Sequence, residues 1–266
     1  MTSGPSEENS DARLAARLAE QAGRLLLELR SDSGLTGREL GKRGDAESNA
    51  LLLRALRGAR PDDAVLSEES ADSAHRLEAA RVWIIDPLDG TREYGEPGRT
   101  DWAVHVALWE RSAPTERFGL IAAAVALPAL ERTLSTGAPL PGRGAPAPAP
   151  RLAVSRTRRP SWFDGVAAAV GGEPYPLGSA GMKAMSVVLG ITDAYVHSGR
   201  MKEWDSAAPV AVALDAGLHV SRLDGSPLTY NTAERLTLDL LICEPSLADR
   251  LLAAARGLAG TDTTAR

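Results

Sequence analysis

The run Trp83-Ile84-Ile85-Asp86-Pro87-Leu88-Asp89-Gly90-Thr91 brings an apolar strand to an end on two carboxylates. Pro87 stiffens the turn between them, and Gly90 permits a tight, left-handed backbone. Such a turn can aim both carboxylates and the Leu88 carbonyl at one point. Hard cations such as Mg2+ take oxygen donors in that arrangement. The backbone N–H groups around Gly90 and Thr91 are then placed to hold a phosphate. The plain alternative is an acidic surface turn. Two other segments weigh against it. Ser67-Glu68-Glu69-Ser70 again puts carboxylates directly after an apolar strand, and Lys202-Glu203-Trp204-Asp205 puts a carboxylate at a helix start. Read alone, Glu68 and Glu69 are a solvated loop and Asp205 is a helix N-cap.

The elements that must position these groups alternate between helices and strands. Asp11 to Arg30 reads as an amphipathic helix, with Leu14, Leu18, Leu25 and Leu29 on one stripe. Ser48 to Leu56 reads as a second, its Leu51, Leu52, Leu53 and Leu56 forming an apolar face. Strands are expected at Ala64–Leu66, Val82–Ile85, Asp101–Trp109, Phe118–Val125 and Leu130–Ser135. The segment 137–150, GAPLPGRGAPAPAP, can neither join a sheet ladder nor hold a helix, and it reads as an exposed loop between two halves. Beyond it come strands at Leu152–Ser155, Asp193–His197 and Leu238–Cys243. Helices are expected at 160–170, Ser179–Leu189, 205–216 and Ser246–Leu258, and a strand-turn segment runs through 223–227. The expected organisation is a flexible tail at 1–10, an N-terminal α+β half at 11–136 carrying the acidic motifs, the loop at 137–150, and a C-terminal α/β half at 151–266. The class is layered α+β or α/β.

Composition narrows the functions. The chain has 266 residues, 30 Lys+Arg against 35 Asp+Glu, and a net charge of -5. That balance does not suit a protein built to grip a nucleic-acid polymer. The single cysteine, Cys243, excludes an internal disulfide framework and suits a reducing compartment. The polar, acidic N-terminus lacks a signal-peptide pattern, and no apolar run reaches the roughly 20 residues of a membrane span. A cytoplasmic protein with no membrane partner is therefore expected. Only Lys42, Lys183 and Lys202 are lysines, so a lysine near the acidic motifs stands out from an arginine background.

Taken together and in this order, SEES (67–70), IDPLDGT (85–91) and EWDSAAP (203–209) resemble the inositol monophosphatase superfamily. The resemblance runs from the first helix to about residue 245. Within it, Ser179-Ala180-Gly181-Met182-Lys183, the run 201–209 and Gly225-Ser226-Pro227-Leu228-Thr229-Tyr230 are similar to the 3'(2'),5'-bisphosphate nucleotidase branch. Two positions depart. The family's usual Asp near a further metal falls at Asn49 in Gly44-Asp45-Ala46-Glu47-Ser48-Asn49, so either Asp45 or Glu47 supplies the charge, or that metal is weaker. The segment Val154-Ser155-Arg156-Thr157-Arg158 carries Arg158 where the family has His.

The resemblance implies the αβαβα sandwich of the sugar phosphatases. It implies two or three Mg2+ per site, two of them about 4 Å apart, held by Glu68, Asp86, the Leu88 carbonyl, Asp89 and Asp205. Glu68, Thr91 and Asp89 would serve the catalytic step. Gly90, Thr91, Ser179, Gly181, Lys183 and Asp205 would bind substrate, with Lys183 holding the non-reacting phosphate as a point charge. Lithium is expected to inhibit, and a homodimer is one assembly that the resemblance allows. The implied substrate is adenosine 3',5'-bisphosphate, a small phosphate ester, hydrolysed to AMP in sulfate assimilation. The sulfated analogue, inositol monophosphate and fructose 1,6-bisphosphate are the competing substrates. A haloacid-dehalogenase phosphatase needs Asp-x-Asp, whereas Asp86 and Asp89 are spaced Asp-x-x-Asp. A catalytically weak nucleotide-binding regulator is the rival of a different class. The resemblance gives the arginines at 156 and 158 no fixed role.

Overall fold

The computed structural model describes residues 5–140, 142, 144 and 149–258. Two five-stranded sheets divide the chain. The first takes β1 (Ala64–Ser67), β2 (Arg81–Asp89), β3 (Ala103–Glu110), β4 (Leu120–Leu127) and β5 (Arg132–Ser135) in sequential order. β1 runs parallel to β2, and the other pairs are antiparallel. The second contains β6 (Arg151–Ser155), β7 (Glu173–Leu177), β8 (Ala194–Lys202), β9 (His219–Ser221) and β10 (Leu236–Cys243), in the order β7-β6-β8-β10-β9.

Helices fill the spaces around them. Helices α1 (Pro5–Asp32) and α2 (Gly37–Ala59) cover the outer face of the first sheet, burying Leu26 and Leu52 against Trp83, Ile85 and Val106. Helices α5 (Ala180–Val188) and α6 (Glu203–Asp215) lie between the sheets. There Met185, Ala208 and Val212 share a core with Ile84 and Ala107 on one side and with Tyr195 and Leu240 on the other. Helices α4 (Phe163–Ala169) and α7 (Ala248–Ala255) close the far face of the second sheet. A five-residue helix, α3 (Thr91–Gly95), follows β2 directly. The layers read helix, sheet, helix, sheet, helix, which is the expected αβαβα sandwich.

Side-chain alternation explains the layering. On β2, Val82 and Ile84 face the middle helices, while Trp83 and Ile85 face α1 and α2. A strand covered on both faces reads as a continuous apolar run, as this one does.

Several boundaries differ from the sequence reading. The first helix begins at Pro5, inside the segment 1–10 expected to be a tail; residues 1–4 lie outside the described residues. The second helix begins at Gly37 and not near Ser48. Glycines 37, 41 and 44 weaken its propensity, and packing on α1 and α3 overrides that. Of its four expected apolar residues, Leu52 and Leu56 are buried while Leu51 and Leu53 are partly buried. β7, which holds Pro174 and Pro176, was not expected; it is an edge strand, where a missing N–H is tolerated. β8 continues five residues past His197 to Lys202. In the loop expected to be exposed, Leu140 packs against the middle core and Pro150 is buried; residues 141, 143 and 145–148 lie outside the described residues. Among the described residues no helix is long and apolar enough to cross a membrane.

Candidate active site

The two aspartates of the 86–91 run do not sit in a turn after the strand, as the sequence suggested. They belong to β2 itself. Asp86 pairs with His105 and Asp89 with Ala103, so three steps on β2 match two steps on β3. This is a bulge with one extra residue, placed where Pro87 cannot donate to the ladder. In a regular strand, residues i and i+3 face opposite sides. The bulge resets the alternation and brings both carboxylates to the face of β2 that looks onto α5 and α6. Asp86 Oδ1 also accepts the Leu88 N–H at 3.0 Å.

The turn proper begins at Gly90, with φ of 88°. A Cβ there would meet Ser179 Cβ at 2.8 Å, so glycine is required by conformation and by space. Thr91 then opens α3. Its hydroxyl lies 3.3 Å from both Leu88 O and Asp45 Oδ1.

Glu68 directly follows β1 and is exposed, and Asp205 sits in the first turn of α6, where its Oδ2 accepts the Lys202 N–H at 3.3 Å. Asp205 is therefore not the N-cap of the plain sequence reading: Lys202 is the N-cap, and Asp205, at the third position of α6, accepts its N–H. Electrostatics ties these four acids together. Burial and the charges of Glu68, Asp89 and Asp205 push Asp86 well above the usual carboxylate range. Loss of water and the charges of Asp89 and Glu69 push Glu68 up, while a hydrogen bond with Asp86 pulls it down. Burial, Asp89 and Glu68 raise Asp205 to about 7.

Asp89 behaves differently. Burial pushes it up, but His105, the Gly181 N–H and Lys183 outweigh burial and hold it low. Its Oδ2 accepts the Gly181 N–H at 2.5 Å and its Oδ1 the Ala180 N–H at 3.2 Å, at the N-terminus of α5. A Cβ on Gly181 would come within 2.1 Å of His105 Nε2, so only glycine lets α5 approach. Among the described residues, no three His, Cys, Asp or Glu side chains converge at metal-ligand spacing.

Lys183 is buried, not solvated. Its Nζ donates to the carbonyls of Gly178 at 2.6 Å and Ser179 at 2.9 Å. It also lies over the Tyr195 ring at 5.4 Å. Burial lowers its pKa, opposed by Asp89, Glu93, Asp205 and Asp101. Ser179 caps α5 by accepting the Met182 N–H at 2.9 Å.

The structure separates the alternatives left at 45–49. Asn49 is engaged elsewhere: its Oδ1 accepts from Ser67 Oγ at 2.8 Å and its Nδ2 donates to Ser70 Oγ at 3.2 Å. Glu47 pairs with Arg43 on the surface. Asp45 is the acid that faces the cluster, and burial with the charges of Glu69 and Glu68 raises it to about 7. Arg156 reaches from the end of β6 to Glu93 at 3.0 Å and Glu96 at 2.9 Å, whereas Arg158 is exposed.

One residue escaped the sequence reading altogether. His105 is fully buried on β3, facing α6. Its Nδ1 lies 3.0 Å from the Trp204 carbonyl, an acceptor only, so Nδ1 carries the proton. Its Nε2 lies 3.3 Å from Asp89 Oδ2. Opposite Asp86 in the ladder, it braces Asp89 against the residue preceding Asp205. No local signal marks it, since a lone His within an apolar strand reads as core.

Residues 9–258 match the model of the inositol monophosphatase family. The chain is 49% identical over 256 residues, 94% of each chain, to the 3'-phosphoadenosine 5'-phosphate phosphatase of Mycobacterium leprae. It is 50% identical over 237 residues, 88% of each chain, to the protein of the same name from Mycobacterium bovis. Its fold matches the solved inositol monophosphatase of Anabaena with a TM-score of 0.75 at 20% identity, covering 95% of this chain and 97% of the other.

The raised acids make a prediction about stability in a chelator. Asp205, at about 7, is protonated in the folded chain at acid pH and must ionise while buried as pH rises. Its contribution to stability is therefore present below about pH 4 and is lost as pH climbs to about 7. Asp205→Asn can still accept the Lys202 N–H but never ionises. In EDTA, the melting temperature of the variant minus that of wild type should grow from pH 5 to pH 8. A constant difference would show that Asp205 carries no such burden. A second prediction concerns packing. Gly181→Ala should destabilise the fold by about 1–3 kcal/mol, the usual range for overpacking, as read from urea unfolding.

Proposed function

Because the chain belongs to the inositol monophosphatase family, we propose that it hydrolyses the 3'-phosphate of adenosine 3',5'-bisphosphate to give AMP and phosphate, a clearing step of sulfate assimilation. The observation that carries this reading is near-half identity, over nearly the whole chain, to relatives named for that activity. The acid cluster supports it independently.

The donor set fits divalent cations. It is all oxygen, with Asp86 and Asp89 buried, Asp205 half-buried and Glu68 exposed, and it carries more negative charge than its surroundings neutralise: Asp86, Glu68 and Asp205 are all pushed toward protonation. Glu68, Asp86, Asp89, Asp205 and the Leu88 carbonyl are the groups that would hold Mg2+. When bound, the ions supply positive charge that activates water and stabilises the leaving oxygen. Lithium, with half the charge of magnesium, is the expected inhibitor.

The chain's own residues do the rest. Asp45, near 7, can take a proton at neutral pH, and the Thr91 hydroxyl beside it orients the attacking water. The Gly90 and Thr91 N–H groups grip the transferred phosphoryl group, and Glu68 helps to aim the water. Lys183 adds fixed positive charge behind Ser179 and Gly181 for the second phosphate of a bisphosphate nucleotide. That role requires Nζ to exchange a carbonyl partner for a phosphate oxygen.

A substrate panel tests the reading. Adenosine 3',5'-bisphosphate should give the highest kcat/KM, above inositol 1-phosphate and fructose 1,6-bisphosphate. Phosphate release should vanish in EDTA and return with Mg2+. No release from any of these esters would leave the binding-only regulator. Asp86→Asn should lower kcat by at least ~10², the usual loss for a transition-state electrostatic group, while the fold survives. Retention of more than about a tenth of activity would remove Asp86 from the cation site. Lys183→Ala should weaken kcat/KM for the bisphosphate by roughly 10–150-fold, since a hydrogen bond to a charged group is worth about 1.5–3 kcal/mol. The loss on inositol 1-phosphate should be much smaller. Equal losses would make Lys183 a brace for the start of α5 and nothing more.

A further inference from the structure

A second buried network lies outside the acid cluster, and the reaction makes no use of it. Glu203, the first residue of α6, has no exposed surface. Its carboxylate accepts the Asn231 N–H at 2.8 Å, the Thr232 N–H at 2.8 Å and the Thr232 hydroxyl at 2.6 Å. Its own N–H donates to the Arg235 carbonyl at 3.1 Å. Asn231 is held in the left-handed region at φ of 58°. Its side chain exchanges two hydrogen bonds with Arg76, accepting from Nη1 at 2.7 Å and donating to the Arg76 carbonyl at 3.2 Å. Arg76, 1% exposed, also donates to the Thr232 carbonyl at 2.8 Å and pairs with Asp72 at 2.7 Å.

The placement of this network is informative. Arg76, in a short 3-10 helix at Ala74–Leu77, and Asp72 belong to the segment that follows Glu68 and Glu69, whereas Glu203 begins the helix that carries Asp205 two residues later. The loop at 231–235 grips both. It thereby ties the segment that follows β1 of the first sheet, with Glu68, to the start of α6, with Asp205, two acids that repel each other. A buried carboxylate costs free energy unless it is fully bonded. Placing another one two residues from Asp205 adds to the local excess of negative charge. An apolar residue at 203 would avoid both penalties but leave the Asn231 and Thr232 N–H groups and the Thr232 hydroxyl without this acceptor, so the bonds that Glu203 makes are what hold it there.

We propose that the Arg76–Asn231–Thr232–Glu203 network is a clamp that sets the spacing between Glu68 and Asp205 for cation binding, with Glu203 and Asn231 as positioning residues. This rests on the reading that these acids hold Mg2+. Two variants test it without touching the acid cluster. Glu203→Gln keeps the volume but sets an amide N–H against the Asn231 N–H. Asn231→Gly keeps the left-handed backbone without strain and removes both bonds to Arg76. Mg2+ binding is measured by calorimetry on the substrate-free protein, well below the melting temperature of each variant. The Mg2+ concentration for half-maximal hydrolysis of adenosine 3',5'-bisphosphate is measured alongside.

Removing groups that orient metal ligands usually weakens the metal by about 10–100-fold, and a loss of that size is expected in both variants. Most of the wild-type kcat should return at high Mg2+, because no group that touches substrate has changed. If Glu203→Gln does not fold, Asn231→Gly carries the same test. Wild-type Mg2+ affinity in either folded variant, with or without a fall in melting temperature, overturns the clamp and leaves a packing role. Wild-type protein that binds no Mg2+ would instead sink the reading of the acid cluster, a result distinguishable from failure of the clamp.

Discussion

The mutual electrostatic influence of four carboxylates, Glu68, Asp86, Asp89 and Asp205, dominates this structure. Like charges at short range in a medium poorer than water repel strongly. That repulsion, with burial, pushes Asp86, Glu68 and Asp205 toward protonation. An arrangement so unfavourable by itself persists only if the surrounding fold is rigid enough to impose it. Much of the architecture can be read as the source of that rigidity.

Each acid is delivered by a different device. A β-bulge turns Asp86 and Asp89 to one side of the sheet. Asp89 is then restrained from two directions, by the first N–H groups of α5 and by the His105 ring. Asp205 is fixed by the first turn of α6, and the Trp204 carbonyl beside it holds the other end of the same imidazole. Because α5 and α6 form the layer shared by both sheets, any relative movement of the sheets would disturb the site. Asp45 joins the cluster from α2, which covers the opposite face of the same strand, and Thr91 from the start of α3.

Lys183 shows how one cation serves more than one purpose. Its ammonium satisfies two carbonyls at the start of α5 and adds positive charge beside Asp89. Removing it therefore acts on the site's electrostatics as well as on any phosphate it meets.

The acidic motifs were legible in the sequence because their information is local. An apolar run ending on Asp-Pro-Leu-Asp-Gly-Thr, a Glu-Glu pair after a short strand and an acid in a helix's first turn each announce themselves within about ten residues. The layered class followed from the alternation of helical and strand periods. The remaining features depended on contacts between distant segments. Asp45 and Asn49 lie one turn apart on α2, and helical periodicity places both on the same face. Only the packing of α2 beside Thr91 gives the acid cluster to Asp45 and leaves Asn49 to the serines at 67 and 70. The bulge in β2 needed its partner strand to define it. His105 and Trp204 are 99 residues apart, and Arg76 and Asn231 are 155 apart. A lone histidine in an apolar strand or a glutamate at a helix start has no local signature of a brace. Tertiary structure supplied the partners that gave each of them a role.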